Sequence, residues 1–101
     1  MNTDRFGLPQ TTRDKITGVL AQYPDIEQVV VYGSRAMGSS RRGSDIDLCL
    51  KGEQLDWKTL NRIADRLDAL ELPYRLDLCL YHLIDNPDLI AHIDRVGQPF
   101  N

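Results

Sequence analysis

Two short runs, residues 45–50 and 74–81, alternate polar and apolar side chains without a break, and one long amphipathic stretch separates them. In the first, Asp45, Asp47 and Cys49 share one side while Ile46, Leu48 and Leu50 share the other. In the second, Arg75, Asp77 and Cys79 oppose Leu76, Leu78 and Leu80. A period of two throws successive side chains to opposite faces of a strand, so each run predicts a strand with one apolar face. Between them, residues 55–72 place Trp57, Leu60, Ile63, Ala64, Leu67 and Leu70 on one helical stripe, with Pro73 as the stop. A third strand is predicted over residues 26–32, which are rich in β-branched side chains and end at Gly33.

The remaining segments complete the pattern. Residues 11–23 carry Ile16, Val19, Leu20 and Tyr23 at helical spacing, with Thr11 and Asp14 as an acidic capping box and Pro24-Asp25 as the stop. Residues 34–39 have room for one or two helical turns. Asn86-Pro87-Asp88 combines a cap, a proline at the first helical position and an acid in the first turn, which predicts a helix to Val96 that stops at Gly97. Residues 1–10 are read as a loosely held arm, and residues 98–101 as a trailing end. The expected fold is a small α/β (α+β) unit, a mixed three-stranded sheet with helices packed against it. The 101 residues leave room for one domain, spanning residues 1–101.

Composition excludes several classes. No apolar stretch approaches the ~18 residues that span a bilayer, and the first residues lack the apolar core of a signal peptide, so a cytoplasmic protein without membrane contact is expected. A net charge of −3 argues against sequence-independent nucleic-acid binding, which needs a Lys/Arg surplus. Cys49 and Cys79, the only cysteines, lie in apolar runs and read as packed, reduced thiols. No matching histidine spacing makes a zinc site of them, and His82 and His92 read as surface or partly buried polar residues.

The chemistry lies in Gly33-Ser34-Arg35 and Asp45-Ile46-Asp47. Residues two apart in a strand point the same way, so Asp45 and Asp47 present two carboxylates from one face. Like charges held on a rigid strand cost energy unless a cation neutralises them. Hard oxygen ligands suit Mg²⁺ or Mn²⁺, and two such ions ~3.5–4 Å apart clamp phosphoryl groups. Asp77 adds a third acid if its strand lies beside the first. A strand that ends at Gly33-Ser34 and turns into a helix offers free N–H groups and a hydroxyl to phosphate oxygens, with Arg35, Arg41 and Arg42 as nearby positive charge. A solvated strand face would also carry acids and an ordinary turn would also carry Gly-Ser. Asp is poorly suited to strands, however, and the two features occur together.

At these residues the chain resembles the nucleotidyltransferase superfamily of the DNA polymerase beta type. Gly33-Ser34, ten intervening residues and Asp45-Ile46-Asp47, with the later Asp77, match its pattern. The small size points to its minimal nucleotidyltransferase (MNT) domains, and the resemblance covers residues 11–100. It implies that Gly33 and Ser34, with Arg35 beside them, hold the nucleotide phosphates. Asp45 and Asp47 would bind two metal ions, and Asp77 would complete the metal site or accept a proton. It further implies transfer of AMP from ATP to a hydroxyl. MNT domains are commonly encoded beside a helical HEPN-domain toxin, for which they act as antitoxin, and some modify a tyrosine of it. The family often has Arg where this chain has Met37. The absence of a substrate-binding second domain favours a protein target. A contact-only antitoxin, and a transferase acting on a small molecule or RNA, are the alternative readings.

Overall fold

The computed structural model describes residues 5–41 and 43–100. Four helices and four strands follow one another: α1 (Gln10–Leu20), β1 (Gln28–Tyr32), α2 (Ser34–Met37), β2 (Ile46–Lys51), α3 (Trp57–Asp68), β3 (Leu76–Leu80), α4 (Pro87–Val96) and β4 (Gln98–Pro99). The sheet order is β3-β2-β1-β4. β1 runs antiparallel to β2 and β4, whereas β3, reached through α3, lies parallel to β2. The class is as expected, a mixed sheet with helices, but with a fourth strand.

The alternation sorts the two sheet faces. Val29, Val31, Ile46, Leu48, Leu50 and Leu80 are buried in one core with Ile16, Val19 and Leu20 of α1 and Leu60, Ile63 and Leu67 of α3. The other face holds Val30 and Cys49, closed by Ile93 of α4, with Tyr32, Cys79, Tyr81, Ile84 and Leu89 around them. α4 starts where its sequence predicts: Asn86 Oδ1 accepts from the N–H groups of Asp88 (3.0 Å) and Leu89 (3.4 Å).

Several boundaries differ from expectation. Residues 98–100 do not trail off: Gln98 and Pro99 pair with Val31 and Val30, and the Phe100 N–H donates to the Val29 carbonyl at 2.9 Å. Phe100 is buried in the core. Nor are residues 5–10 a loose arm. Leu8 is fully buried, and Phe6 stacks on Phe100 with centroids 6.1 Å apart. Burial of two otherwise exposed aromatic rings holds Phe6 and Phe100 together beside the β1 edge. Residues 1–4 lie outside the described residues. The Thr11–Asp14 box is not formed, because α1 begins at Gln10 behind Pro9 with no side-chain cap. α3 begins at Trp57, capped by Asp56, whose carboxylate accepts from the Thr59 N–H at 2.8 Å. Trp57 therefore stands at the helix entry and is exposed rather than on the buried stripe.

Candidate active site

The strand register assembles a transverse row of polar groups. Tyr32 faces Asp47 across β1 and β2, and Asp47 faces Asp77 across β2 and β3. Adjacent strands lie about 4.8 Å apart, so the two carboxylates are neighbours on the α4 side of the sheet. Asp47 and Asp77 are half-buried, and Asp45 is exposed just before β2. Burial, followed by the negative charges of Asp77 and Asp45, pushes the Asp47 carboxyl above its ordinary value, and His92 and Arg35 only partly oppose this. Both of the other predicted acids thus act on Asp47. Asp77 also meets Arg75 Nε at 3.4 Å, in a pair open to water.

Gly33 is the hinge of this arrangement. It leaves β1 at φ 72° and ψ −152°, and α2 begins at the next residue. A Cβ at this position would lie 2.5 Å from Asp47 Oδ2. Only glycine allows both the backbone conformation and the approach of the carboxylate to the turn. The first N–H groups of the following helical turn have no acceptor within the helix. Ser34 is half-buried there, its carbonyl accepting from the N–H groups of Gly38 and Ser39.

Arg35 is not placed as a phosphate contact. The residue is 3% exposed, and its guanidinium donates to the carbonyls of Ser44 (2.7 Å from Nη2), Asp45 (3.3 Å), Phe6 (2.9 Å) and Gly7 (3.4 Å). It also lies 5.0 Å from the Tyr74 ring centroid. The charge satisfies loop carbonyls that strands and helices leave unpaired, and it fixes the entry to β2, where Asp45 and Asp47 follow. Arg41 is exposed in a turn closed by Ser44, whose Oγ accepts from the Arg41 N–H at 2.8 Å. Arg42 lies outside the described residues, and Met37 is exposed.

The chemistry of this donor set fits Mg²⁺. The acids are hard oxygen ligands whose negative charges are only partly compensated. Among the described residues no three His, Cys, Asp or Glu side chains converge into a cage made by protein alone. Mg²⁺ does not require one, since it is commonly held by one or two carboxylates together with substrate phosphates.

A family model described as polymerase beta, nucleotidyltransferase matches residues 14–100. The chain belongs to this nucleotidyltransferase family. It is also similar to the probable protein adenylyltransferase MntA of Haemophilus influenzae, with 33% identity over 61 residues, or 59% of this chain and 54% of the relative. The chain thus spans about half the length of that relative. Two solved structures share the fold. One is a toxin–antitoxin with AMP-PNP (TM-score 0.71, 24% identity, 88% of this chain and 72% of that one). The other is a tri-AMPylated Shewanella oneidensis HEPN toxin in complex with MNT antitoxin (TM-score 0.68, 21% identity, 91% and 71%).

Within this nucleotidyltransferase fold, two residues beside the acids escape sequence reasoning. His92 of α4 packs edge-on against Tyr32 with centroids 6.2 Å apart, and it opposes the upward shift of Asp47 more than Arg35 does. A lone histidine at a helical position carries no signal of this. Tyr32, the last residue of β1, places its hydroxyl 3.6 Å from Cys79 Sγ. Burial and that contact push the phenol up. Hydrogen bonds from Cys49 and Tyr32 bring the Cys79 thiol down to about 7, and the Cys49 thiol is pushed up in turn. No described helix is long and apolar enough to cross a membrane.

Proposed function

We propose that this chain is a metal-dependent nucleotidyltransferase that moves AMP from ATP to a hydroxyl, a tyrosine of a HEPN-domain toxin, and so acts as the antitoxin of that pair. The observation that carries the reading is the in-register Asp47–Asp77 pair with Asp45 beside it, set against a Gly33 turn that admits no side chain. Membership of the nucleotidyltransferase family and likeness to MntA support it. The partners of the structural neighbours, an AMPylated HEPN toxin among them, suggest the acceptor.

Gly33, Ser34 and the backbone at Arg35 would hold the β- and γ-phosphates. Asp45 and Asp47 would hold Mg²⁺ together with phosphate oxygens, and Asp77 would complete the set. When bound, the ions supply charge neutralisation on the phosphates and the leaving pyrophosphate. The acceptor hydroxyl attacks the α-phosphorus, the bond to the β-phosphate oxygen breaks, and the hydroxyl proton passes to a carboxylate. Asp77, on the edge strand β3 and partly open to water, would be within reach of an incoming protein. The Arg35 side chain serves by holding the Ser44–Asp45 backbone, not by touching the nucleotide.

Co-expression with the product of the adjacent gene, followed by Mg-ATP, tests this. The partner should gain one or more AMP masses, and Asp45→Asn/Asp47→Asn should abolish the gain while leaving the complex intact. Ser34→Ala should weaken nucleotide binding by about 1.5–3 kcal/mol, the worth of a hydrogen bond to a charged group. A stable complex without any mass gain moves the assignment to an antitoxin that works by contact alone.

A further inference from the structure

Two residues along from the carboxylates, the same parallel register sets Cys49 of β2 directly opposite Cys79 of β3. Strands about 4.8 Å apart fall inside the ~4.4–6.8 Å Cα separation that a disulfide spans. Both side chains project to the α4 side of the sheet, around the small cluster of Val30 and Ile93. Both thiols are free. Their environments differ in a useful way. Cys49 is fully buried on an inner strand, whereas Cys79 is half-buried on β3, which ends the sheet. Packing alone accounts for Cys49. Cys79 packs at the rim of the same cluster, with its sulfur 3.6 Å from the Tyr32 hydroxyl.

We propose that Cys79 and Cys49 form a dithiol modification site, at which a low-molecular-weight disulfide oxidises the pair to an intrachain disulfide across β3 and β2. The Cys79 thiolate attacks one sulfur of the incoming disulfide and breaks its S–S bond. This gives a mixed disulfide on Cys79 and one released thiolate. The Cys49 thiolate then attacks Cys79 Sγ, the mixed bond breaks, and a second thiolate leaves. The two thiolates take up the two protons lost by the cysteines, so two protein thiols are oxidised and one external disulfide is reduced to two thiols. The order follows from access, since only Cys79 is partly open. The cross-link would clamp the two strands that carry Asp47 and Asp77, one pleat repeat from that pair.

Treatment of the full folded chain with glutathione disulfide, read by intact mass and peptide mapping, tests this independently of any nucleotide chemistry. The wild type should lose two hydrogens, with Cys49 and Cys79 recovered in one linked peptide pair. Its Tm should rise and should return on reduction. Cys49→Ser should stop at the mixed disulfide, gaining one glutathionyl on Cys79, and Cys79→Ser should remain unmodified while folded. The proposal is overturned if the folded wild type gains no cross-link under conditions that link the urea-unfolded chain. It is equally overturned if the two serine variants take up glutathionyl alike, or if only cross-linked dimers form.

Discussion

The two faces of the sheet are built from the same strands yet behave oppositely. On the α1/α3 face, Val29, Val31, Ile46, Leu48 and Leu50 are at most 1% exposed, and all are hydrocarbon. On the α4 face, Val30, Cys49 and Ile93 are the buried members of the cluster among the described residues, while Tyr32, Asp47, Asp77 and Cys79 stay half-open. Two helices exclude water from the β1 and β2 part of that face, and such a face tolerates no unpaired charge. One helix leaves a margin in which carboxylates keep part of their hydration and a ligand can still reach them. The open row lies where β1 exits at Gly33, so the cover is thinnest beside the turn that admits the nucleotide phosphates in the proposed reaction.

This contrast predicts a graded response to substitution. The largest effect belongs to the closed face. Leu48→Ala removes a fully buried side chain between both helices and should cost about 2–5 kcal/mol in urea unfolding. A loss below ~1 kcal/mol would mean that the face is loosely packed. Gly33→Ala joins a positive φ to a Cβ placed 2.5 Å from Asp47 Oδ2. Strain of this kind costs about 1–3 kcal/mol, and it should displace Asp47 and lower transfer as well. Wild-type stability and activity together in that variant would break the proposed link between turn and carboxylate.

On the open face the sign reverses. The Asp47 pKa is higher in the folded chain than in the unfolded one, so the folded state binds more protons in the window above 3.8, and stability falls as pH rises through that window. At pH 7 the ionised carboxylate is therefore a cost. Asp47→Asn should raise Tm at pH 7, and the advantage should vanish as pH falls below the ordinary carboxylate range. A lower Tm at pH 7 would show that Asp47 is stabilised by partners. Smallest of all, Trp57→Ala, at an exposed helix entry, should change stability by less than about 0.5 kcal/mol, checked by the same urea titration.

How much of this is legible in the sequence depends on the kind of signal each residue carries. Alternation in residues 45–50 and 74–81 reports faces directly, so the acids and the leucines separate on the sequence alone. The cap at Asn86 is equally plain, because its chemistry is local. β4 is not legible: two residues, one of them proline, have no period, and their pairing depends on Phe6 and Phe100 meeting across the whole chain. Arg35 reads as a phosphate-side cation because it sits in a Gly/Ser/Arg-rich segment. Its burial is dictated by four carbonyls from distant segments, which no local pattern encodes. The pairing of Asp47 with Asp77 needs the parallel register as well as the alternation. His92 joins the row only because α4 folds back over it.

In the proposed reaction, the carboxylate row beside Gly33 is where nucleotide and metal meet. Calorimetric titration of the folded chain with ATP, with and without Mg²⁺, tests this most directly when wild type and Asp45→Asn/Asp47→Asn are compared. Binding to the wild type should be saturable and should need Mg²⁺. It should fall at least about tenfold, ~1.4 kcal/mol, in the double variant, whose thermal unfolding remains cooperative. Equal Mg²⁺-dependent affinity in both proteins would contradict it.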